Sequence, residues 1–328
     1  MKNIDFQSIM LGTAVGDAFL FGIEFQSREW IHKTIDFTKY VTMLPRSDKF
    51  TGYKPGDYSD DTEHTIGVGR ALVDPRPFSE ELLLEFWKDE YEKSKSSRNG
   101  IGRAGHGSIK HWYEGESTLD EIRDWQIKKE NPGNAPVMRA ALIGLVPPEI
   151  LDEYAIINAN ATHPHPRARA ASIVVARAAE YLWDGGDQSN IIAHCREYVQ
   201  NVDYETFIYL GKIDRISELG TFIQQKALEI ICGRQPMFFK GKEVYGLPCS
   251  AMHTAGAALY ILKHAKDPFD GLKRAAYMGG DIDSLGAIVV GILGGRDGIE
   301  SLPKFMIEQV EGKERLEQVA ENLKNIFD

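Results

Sequence analysis

Apolar residues along this chain recur mostly at the three- and four-residue spacing of an amphipathic helix. Helical segments of this kind begin at about Ile4 and continue to a charged tail from Leu302 to Phe327. Alternating strand patterns and hairpin turn signals are scarce, and no repeat or linker-like stretch interrupts the sequence. The pattern therefore predicts an all-α fold, with residues 1–328 forming one large helical domain.

The individual helices are predicted from apolar spacing and from the turn residues at their ends. They cover approximately residues 4–25, 78–95, 119–130, 140–145, 166–179, 250–264, 271–278 and 302–327. Residues 31–55 are predicted to be irregular, because Lys, Pro and Gly break the period there. Residues 189–265 are predicted to be mainly helical, with loops near 211–212 and 241–248.

The formal net charge of −10 argues against a general nucleic-acid surface, because such surfaces carry an excess of Lys and Arg. Cys195, Cys232 and Cys249 form no close pair, so neither a disulfide framework nor a zinc cluster is predicted. The N-terminus lacks a signal-peptide pattern, and the longest apolar run, 285–295, is too short and too rich in glycine to span a bilayer. We therefore expect a soluble cytoplasmic protein with free thiols.

An acidic loop near the end of the chain carries the clearest chemical signal. It runs from Gly279 to Ser284 with the sequence GGDIDS and leads into a run of small apolar residues. Carboxylates at the entrance to a buried helix lose hydration, so a positive partner is expected there. Carboxylate and hydroxyl oxygens are the ligands that Mg²⁺, Mn²⁺ and Ca²⁺ prefer. Asp281, Asp283 and Ser284 therefore predict a hard-cation site.

A second segment, residues 59–62 with the sequence SDDT, offers the same ligand types. Ser59 and Asp60 are also good helix N-caps, and Glu63 follows Asp60 at capping-box spacing. Acids at a helix start stabilise the macrodipole without any further role. Taken alone, the segment is compatible with a helix cap and with half of a metal site. In the second case the two acidic segments would meet around one centre.

Two acids, Asp17 and Glu24, interrupt the apolar first helix. They are seven positions apart, which places them two turns apart on roughly one face. A buried carboxylate needs a partner, and a metal or its bound water would supply one. In the same segment Gly12 and Gly16 lie on one face, where missing side chains favour close packing against another helix.

Three further loops are candidates for ligand contacts. Residues 98–107 contain four glycines, Gly102 among them, which let a backbone approach a ligand closely. Residues 131–139 form a turn into a helix that is either an anion site or an ordinary Pro/Gly turn. His163 and His165 lack a third strong ligand for zinc, so we expect them to line a cleft or to bond to loop backbone.

Five segments, in this order, resemble the ADP-ribosylglycohydrolase family. That family includes the dinitrogenase-reductase-activating glycohydrolase and the hydrolases of ADP-ribosyl-arginine and ADP-ribosyl-serine. The segments are residues 12–18 (GTAVGDA) with Glu24, 59–62 (SDDT), 133–139 (GNAPVMR), 162–164 (THP) and 279–287 (GGDIDSLGA). The resemblance covers most of the chain.

The resemblance implies an orthogonal all-α bundle with a binuclear Mg²⁺ or Mn²⁺ centre in a cleft. The implied metal ligands are Ser59, Asp60, Asp61, Asp281, Asp283 and Ser284. Glu24 matches an acid that acts in catalysis in some members, and Asp61 and Asp283 are the other catalytic candidates. The substrate-binding candidates are Asn134 and Gly133, which match the loop that holds the ADP-ribose phosphates, with Gly102 and His163.

Two departures from the family pattern concern these loops. Serine stands at 59 and 284 where threonine is frequent, which keeps the hydroxyl and loses a methyl group. Ala135-Pro136 replaces the Gly-Ser or Gly-Ala that usually follows the loop asparagine, which changes the expected shape of the phosphate loop.

The implied reaction is hydrolysis of the glycosidic bond between ADP-ribose and an acceptor, through an oxocarbenium-like transition state. Arginine, serine, a nucleobase, a small guanidine and O-acetyl-ADP-ribose all remain open as acceptors. Three alternatives also remain: a silent ADP-ribose-binding or structural relative, a two-metal phosphohydrolase, and an interaction module whose acids only cap helices. The expected partner is the ADP-ribose moiety of a modified substrate. A monomer is expected, and an oligomer is left open.

Overall fold

The helices account for most of the chain. The computed structural model describes residues 4–40, 53–217, 225–239 and 241–328, so residues 41–52 of the predicted irregular segment 31–55 lie outside the described part. In chain order the α-helices are α1 Phe6–Phe21, α2 Arg28–Thr34, α3 Asp60–Val73, α4 Glu80–Ser97, α5 Ile109–Tyr113, α6 Leu119–Ile127, α7 Ala135–Met138, α8 Pro148–Asn160, α9 Pro166–Trp183, α10 Ile191–Arg196, α11 Tyr204–Asp214, α12 Gln225–Ile231, α13 Ala251–His264, α14 Pro268–Ala276, α15 Asp283–Asp297, α16 Lys304–Gln309 and α17 Lys313–Phe327.

Within the described ranges, regular strands are limited to one short hairpin, which confirms the all-α prediction. Strand β1 (Met237–Phe239) pairs antiparallel with β2 (Lys242–Val244), inside and next to a segment predicted as loop. Short 3-10 helices lie at Ala141–Leu145, Gln188–Asn190 and Glu197–Val199.

Several predicted boundaries were wrong. Helix α1 ends at Phe21 rather than at residue 25, because Phe25 adopts a positive φ of 56° and donates its N–H to Gly280 O over 2.7 Å. The predicted loop at 211–212 lies inside α11. The first residues of the segment predicted as irregular, 31–34, belong to helix α2. The helix predicted through Leu145 is α7 followed by a separate 3-10 turn.

Helices α1 and α15 pack against each other through glycines, as Gly12 and Gly16 predicted. A Cβ added to Gly16 would lie 2.2 Å from Gly286 O, and one added to Gly12 would lie 2.6 Å from Val290 O. Such backbone contact excludes any side chain at these positions. The crossing brings Asp17, in the middle of α1, next to Asp283, the first residue of α15.

The hydrophobic core surrounds this helix pair. Nearly all residues of α1 and α15 are buried, as is most of the alanine-rich helix α9, and they join one cluster of buried apolar side chains. In the part of the chain that the structure describes, no helix combines the length and the apolar character that crossing a bilayer requires. The acidic residues at the starts of α3 and α15 are buried against this core.

Candidate metal centre and adjoining cavity

Both acidic segments open onto one cavity of about 450 Å³. The Ser59–Asp61 segment enters it at the N-terminus of α3, and the Asp281–Ser284 segment enters at the N-terminus of α15. The predicted site residues that line the cavity are Glu24, Asp60, Asp61, Gly133, Asn134, His163, Asp281, Asp283 and Ser284. The structure thus brings together residues from five separate parts of the sequence.

The acidic loop is held by backbone pairing on both sides. Gly280 donates its N–H to Gln26 O over 3.1 Å, and its carbonyl accepts the N–H of Phe25. Asp281 N–H donates to Leu247 O over 2.8 Å. Gly279 and Gly280 have φ angles of 68° and 77°, which favour glycine. This pairing also fixes Glu24, one residue before Phe25, beside the loop.

The carboxylates form two groups that share one member. Oxygen atoms of Asp17, Asp61 and Asp283 all lie within 4.8 Å of one another, and so do those of Glu24, Asp281 and Asp283. All five side chains are buried. Because Asp283 belongs to both groups, a cation in either group would neighbour the other group.

Burial and mutual repulsion make the acids hard to ionise without a cation. Burial, and next the nearby Asp283, raise the pKa of Asp281 to about 8 and that of Asp17 to about 7. The same two causes, in the same order, raise the pKa values of Asp60 and Asp61 well above their ordinary value. A bound divalent cation reverses this effect, because it favours the charged carboxylates.

Asp61 supplies an independent reason to expect a cation. Its Oδ1 is buried and has no hydrogen-bond partner within the described residues. Its Oδ2 accepts the Ser59 hydroxyl over 2.9 Å. A buried carboxylate oxygen without a partner is unfavourable. The residues present therefore fit a hard divalent cation.

Asp17 connects the centre to helix α3. Its carboxylate accepts the backbone N–H groups of Ser59 (3.0 Å) and Thr62 (3.0 Å), and the Thr62 hydroxyl (2.6 Å). It thus caps α3 from another helix, together with the N-cap residue Ser59, whose hydroxyl oxygen accepts the Asp61 N–H over 3.3 Å. The hydrogen bonds engage both of its oxygens, so its main effect is to hold the segment that carries Asp60 and Asp61.

Two of the predicted site residues form hydrogen bonds to the acids. Ser59 does not line the cavity, and its hydroxyl bonds to Asp61. Asn134 lines it but donates its side-chain N–H to Asp281 Oδ2 over 2.9 Å and to Thr254 Oγ1 over 3.3 Å. Asn134 therefore orients a predicted metal ligand.

Gly102 is placed differently from the prediction. A Cβ at Gly102 would lie 2.2 Å from the ring of Tyr91, and Gly102 is not among the residues that line the cavity. Gly105 and Gly107 of the same loop line it instead. Gly105 has a φ of 100°, and a Cβ there would lie 1.6 Å from Asp60 Oδ1. The glycine-rich loop thus makes close contact at Gly105.

Several lining residues had not been predicted as site residues. Trp125 is 53% exposed, and Lys129 Nζ lies 3.5 Å from the centre of its ring. Arg139 lines the inner wall, and Cys249 contacts Asp281. Arg139 had a sequence signal, since a cation stands there next to the apolar run that follows it.

A third cluster, formed by Asp60, His64 and His106, has the composition of a metal site but not its free ligand atoms. His64 Nδ1 faces Arg139 Nη1 at 3.1 Å, and His64 Nε2 lies 3.1 Å from His106 Nδ1. His106 Nε2 lies 2.8 Å from Glu63 Oε1. All four ring nitrogens are engaged, and one of them faces a guanidinium. We therefore assign this cluster to a hydrogen-bond network.

The fold and site together define an all-helical protein with a candidate divalent-metal centre at a ligand-sized cavity. The sequence model of the ADP-ribosylglycohydrolase family matches residues 5–328. The chain therefore belongs to the ADP-ribosylglycohydrolase family, as its motifs predicted, and this membership supports hydrolysis that removes ADP-ribose from an acceptor.

Individual relatives agree with this assignment. The dinitrogen reductase glycohydrolase of Rhodospirillum rubrum is 29% identical over 183 residues, which cover 53% of this chain and 56% of that protein. ADP-ribosylhydrolase ARH3 of Bos taurus is 21% identical over 98% of this chain and 93% of its own. A solved structure, an ADP-ribosylglycohydrolase-related protein complex, superposes with a TM-score of 0.64 at 21% identity and covers 99% of both chains. That structure supports the fold.

Proposed function

We propose that this protein is a divalent-metal-dependent hydrolase that cleaves the glycosidic bond between ADP-ribose and an acceptor. The observation that carries the proposal is the pair of buried carboxylate groups that share Asp283 beside a cavity of about 450 Å³. Family membership supports the bond that is cleaved. The carboxylate groups support the dependence on a metal.

The proposed ligands are the six oxygen-bearing residues of the two acidic segments, with Glu24 beside them. They are Ser59, Asp60, Asp61, Asp281, Asp283 and Ser284. Ser59 acts through its bond to Asp61, whereas the other five line the cavity. The shared Asp283 favours two neighbouring sites, and carboxylate and hydroxyl oxygens favour Mg²⁺ or Mn²⁺. When bound, such ions lower the pKa of water and orient hydroxyl oxygens of a sugar.

The remaining wall of the cavity suits an anionic nucleotide. Lys129 is a cationic residue that lines it and favours a phosphate group, whereas the fully buried Arg139 contributes positive charge from behind the wall, because its N–H groups donate to protein acceptors. The exposed indole of Trp125 offers a face on which an adenine ring can stack. Asn134 keeps Asp281 oriented, so the loop that carries Gly133 and Asn134 serves both the centre and the substrate.

Glu24 is the proposed proton-transfer residue. It lines the cavity, is 6% exposed, and has a carboxylate oxygen within 4.8 Å of Asp281 and Asp283. In an oxocarbenium-like transition state, positive charge develops on the sugar while water attacks the anomeric carbon. A carboxylate at this place can accept the proton of the attacking water, and the surrounding negative charge stabilises the sugar.

A substrate panel tests the proposal. ADP-ribosylated arginine, serine and nucleobase, with O-acetyl-ADP-ribose, are incubated with the protein and Mg²⁺ or Mn²⁺ in turn, and products are separated by chromatography with mass detection. Release of intact ADP-ribose from at least one substrate is expected. AMP or inorganic phosphate as the product would instead identify a phosphohydrolase. Binding of ADP-ribose without any turnover across the panel would indicate a silent relative.

A further inference from the structure

Arg139 is a fully buried cation whose described hydrogen bonds reach neutral groups. Its guanidinium carbon lies 3.7 Å from the centre of the Trp87 ring. Nε donates to Asn158 Oδ1 (2.8 Å), Nη2 to Thr162 Oγ1 (2.8 Å) and Nη1 to His64 Nδ1 (3.1 Å). An arginine has no acceptor atom, so it is the donor in every one of these bonds. The groups that accept from Arg139 must therefore use a lone pair toward it, which decides where their own protons point.

The Thr162 hydroxyl links Arg139 to His163 by hydrogen bonds. Thr162 Oγ1 accepts from Arg139 and also lies 2.8 Å from His163 Nδ1. Among the hydrogen bonds of the described residues, that hydroxyl has no further partner. If His163 Nδ1 carried a proton, the hydroxyl proton of Thr162 would be buried without an acceptor, which is unfavourable. Thr162 therefore donates to Nδ1, and the ring proton of neutral His163 lies on Nε2.

The protonated nitrogen of His163 faces the cavity. A Cβ added to Gly133 would lie 2.9 Å from His163 Nε2, and both residues line the cavity. In the described part of the chain Nε2 has no hydrogen-bond partner, whereas Nδ1 is engaged by Thr162. Burial, and next the charge of Arg139, hold the pKa of His163 well below its ordinary value. The ring is therefore neutral at pH 7, with one nitrogen that can only donate.

We propose that Arg139, acting through Thr162, is a positioning residue that fixes the proton of His163 on Nε2, so that His163 donates a hydrogen bond to an oxygen of the bound ligand. The ligand atom is an acceptor, such as a phosphate oxygen or a ribose hydroxyl oxygen. The identity of the ligand rests on the proposed function. The tautomer is a property of the free protein.

The same arginine also fixes the proton position of a further histidine, His64, which neighbours His106. Its Nη1 donates to His64 Nδ1, so the His64 proton lies on Nε2, which is 3.1 Å from His106 Nδ1 and 3.2 Å from the Tyr113 hydroxyl oxygen. His106 carries a proton on Nε2, because that nitrogen lies 2.8 Å from the Glu63 carboxylate, which accepts it. Arg139 is thereby held from two sides, which explains how this buried cation keeps one orientation for Thr162.

The tautomer is measured first, in the free protein. Long-range ¹H–¹⁵N NMR spectra distinguish the protonated from the unprotonated ring nitrogen, and His163→Gln assigns the signals. We expect the Nε2–H form in the wild type and in Thr162→Ser, which keeps the hydroxyl. Thr162→Val removes it at nearly constant volume and should give a mixture of both tautomers. A proton on His163 Nδ1 in the wild type, or an unchanged tautomer in Thr162→Val, overturns the proposal.

Ligand binding is measured next, with ADP-ribose titrated by calorimetry. Thr162→Val should bind about tenfold more weakly, because one hydrogen bond to the ligand loses its fixed donor. Thr162→Ser should restore the affinity. Equal affinity of the wild type and Thr162→Val contradicts the proposal. Arg139→Met should match Thr162→Val, and the Thr162 pair keeps the test decisive if that variant does not fold.

The two proposals fail separately. If the wild type does not bind ADP-ribose at all, the proposed function and the ligand part of this inference both fail. The spectra of the free protein still show whether Arg139 and Thr162 fix the tautomer. Conversely, a mixed tautomer in an active enzyme refutes the positioning role alone.

Discussion

Asp283 occupies the centre of the acidic cluster, since it belongs to both carboxylate groups and raises the pKa values of Asp17, Asp60, Asp61 and Asp281. Its charge is unfavourable for the metal-free fold and favourable for a bound cation. In the proposed metal centre, function and stability therefore place opposite demands on this one residue.

Replacing this residue should separate the two demands. Asp283→Asn should lower kcat/KM at least about a hundredfold, because loss of even an outer ligand contact costs 10–100-fold. The metal-free variant should melt no lower than the wild type, because a buried repulsion is removed. Enzyme assays and thermal melts measure both effects. Asp297→Asn, at the other end of α15 and exposed, is the control. A variant that keeps full activity would remove Asp283 from the centre.

At the residue scale the sequence predicted which acids meet at the cavity better than it predicted their hydrogen-bond partners. Asp281 and Asp283 were recognisable because a buried carboxylate needs a partner, whereas Asp61 lay in a segment that was equally compatible with a helix cap. The capping of α3 by Asp17 and the position of Arg139 depend on contacts between residues far apart in sequence. Spacing along one helix carries no information about such contacts, so these roles could not be predicted.

The contact between the glycine-rich loop, residues 98–107, and Asp60 offers a test at the scale of elements. Gly105→Ala should lower activity at least about tenfold, because a Cβ 1.6 Å from Asp60 Oδ1 must displace that carboxylate. Gly100 in the same loop also has a positive φ, of 84°, but nothing within 4 Å of an added Cβ. Gly100→Ala should therefore cost about 1 kcal/mol of stability and leave activity unchanged. Similar activity in both variants would contradict the contact.

The crossing of α1 and α15 offers a second test. Gly16→Ala should lower the free energy of unfolding by about 1–3 kcal/mol, because its Cβ would overlap Gly286 O. Gly211→Ala is the control, since it lies inside α11 and its nearest neighbour is the flexible end of Arg196. That variant should be neutral or more stable by about 0.5–1 kcal/mol, through better helix propensity. Denaturant melts that rank the two in the reverse order would refute the close crossing.

At the element scale the sequence predicted the helices and missed some of their ends. The apolar period continues past Phe21, but pairing of Phe25 with Gly280 ends α1 and turns Glu24 toward the acidic loop. Conversely, Gly211 suggested a loop although it lies inside a helix. In both places a tertiary contact overrides local propensity.

For the whole molecule, the buried acids predict how stability changes with pH. Asp17 and Asp281 have pKa values of about 7 and 8 in the metal-free folded state, against about 3.8 when exposed. The folded state therefore keeps protons that the unfolded state has released, and stability falls as pH rises through 7 and 8. The buried histidines have lowered pKa values and act in the opposite sense, but only below about pH 6.5.

Thermal melts between pH 6.5 and 8.5 isolate the acids. The Tm of the chelator-treated protein should fall across this range, and saturating Mg²⁺ should reduce the fall because it holds the carboxylates ionised. The gain in Tm on adding Mg²⁺ should thus grow with pH. A gain that is constant across the range would show that the ion does not bind at the buried acids.

The dependence of ADP-ribose release on the metal tests the proposed function most directly. The protein is stripped of metal with a chelator, dialysed, and incubated with the best substrate of the panel while Mg²⁺ or Mn²⁺ is titrated back. No release is expected without metal, saturable recovery is expected with it, and no recovery is expected in Asp283→Asn. Release of ADP-ribose at an equal rate from the stripped protein would contradict the proposed function.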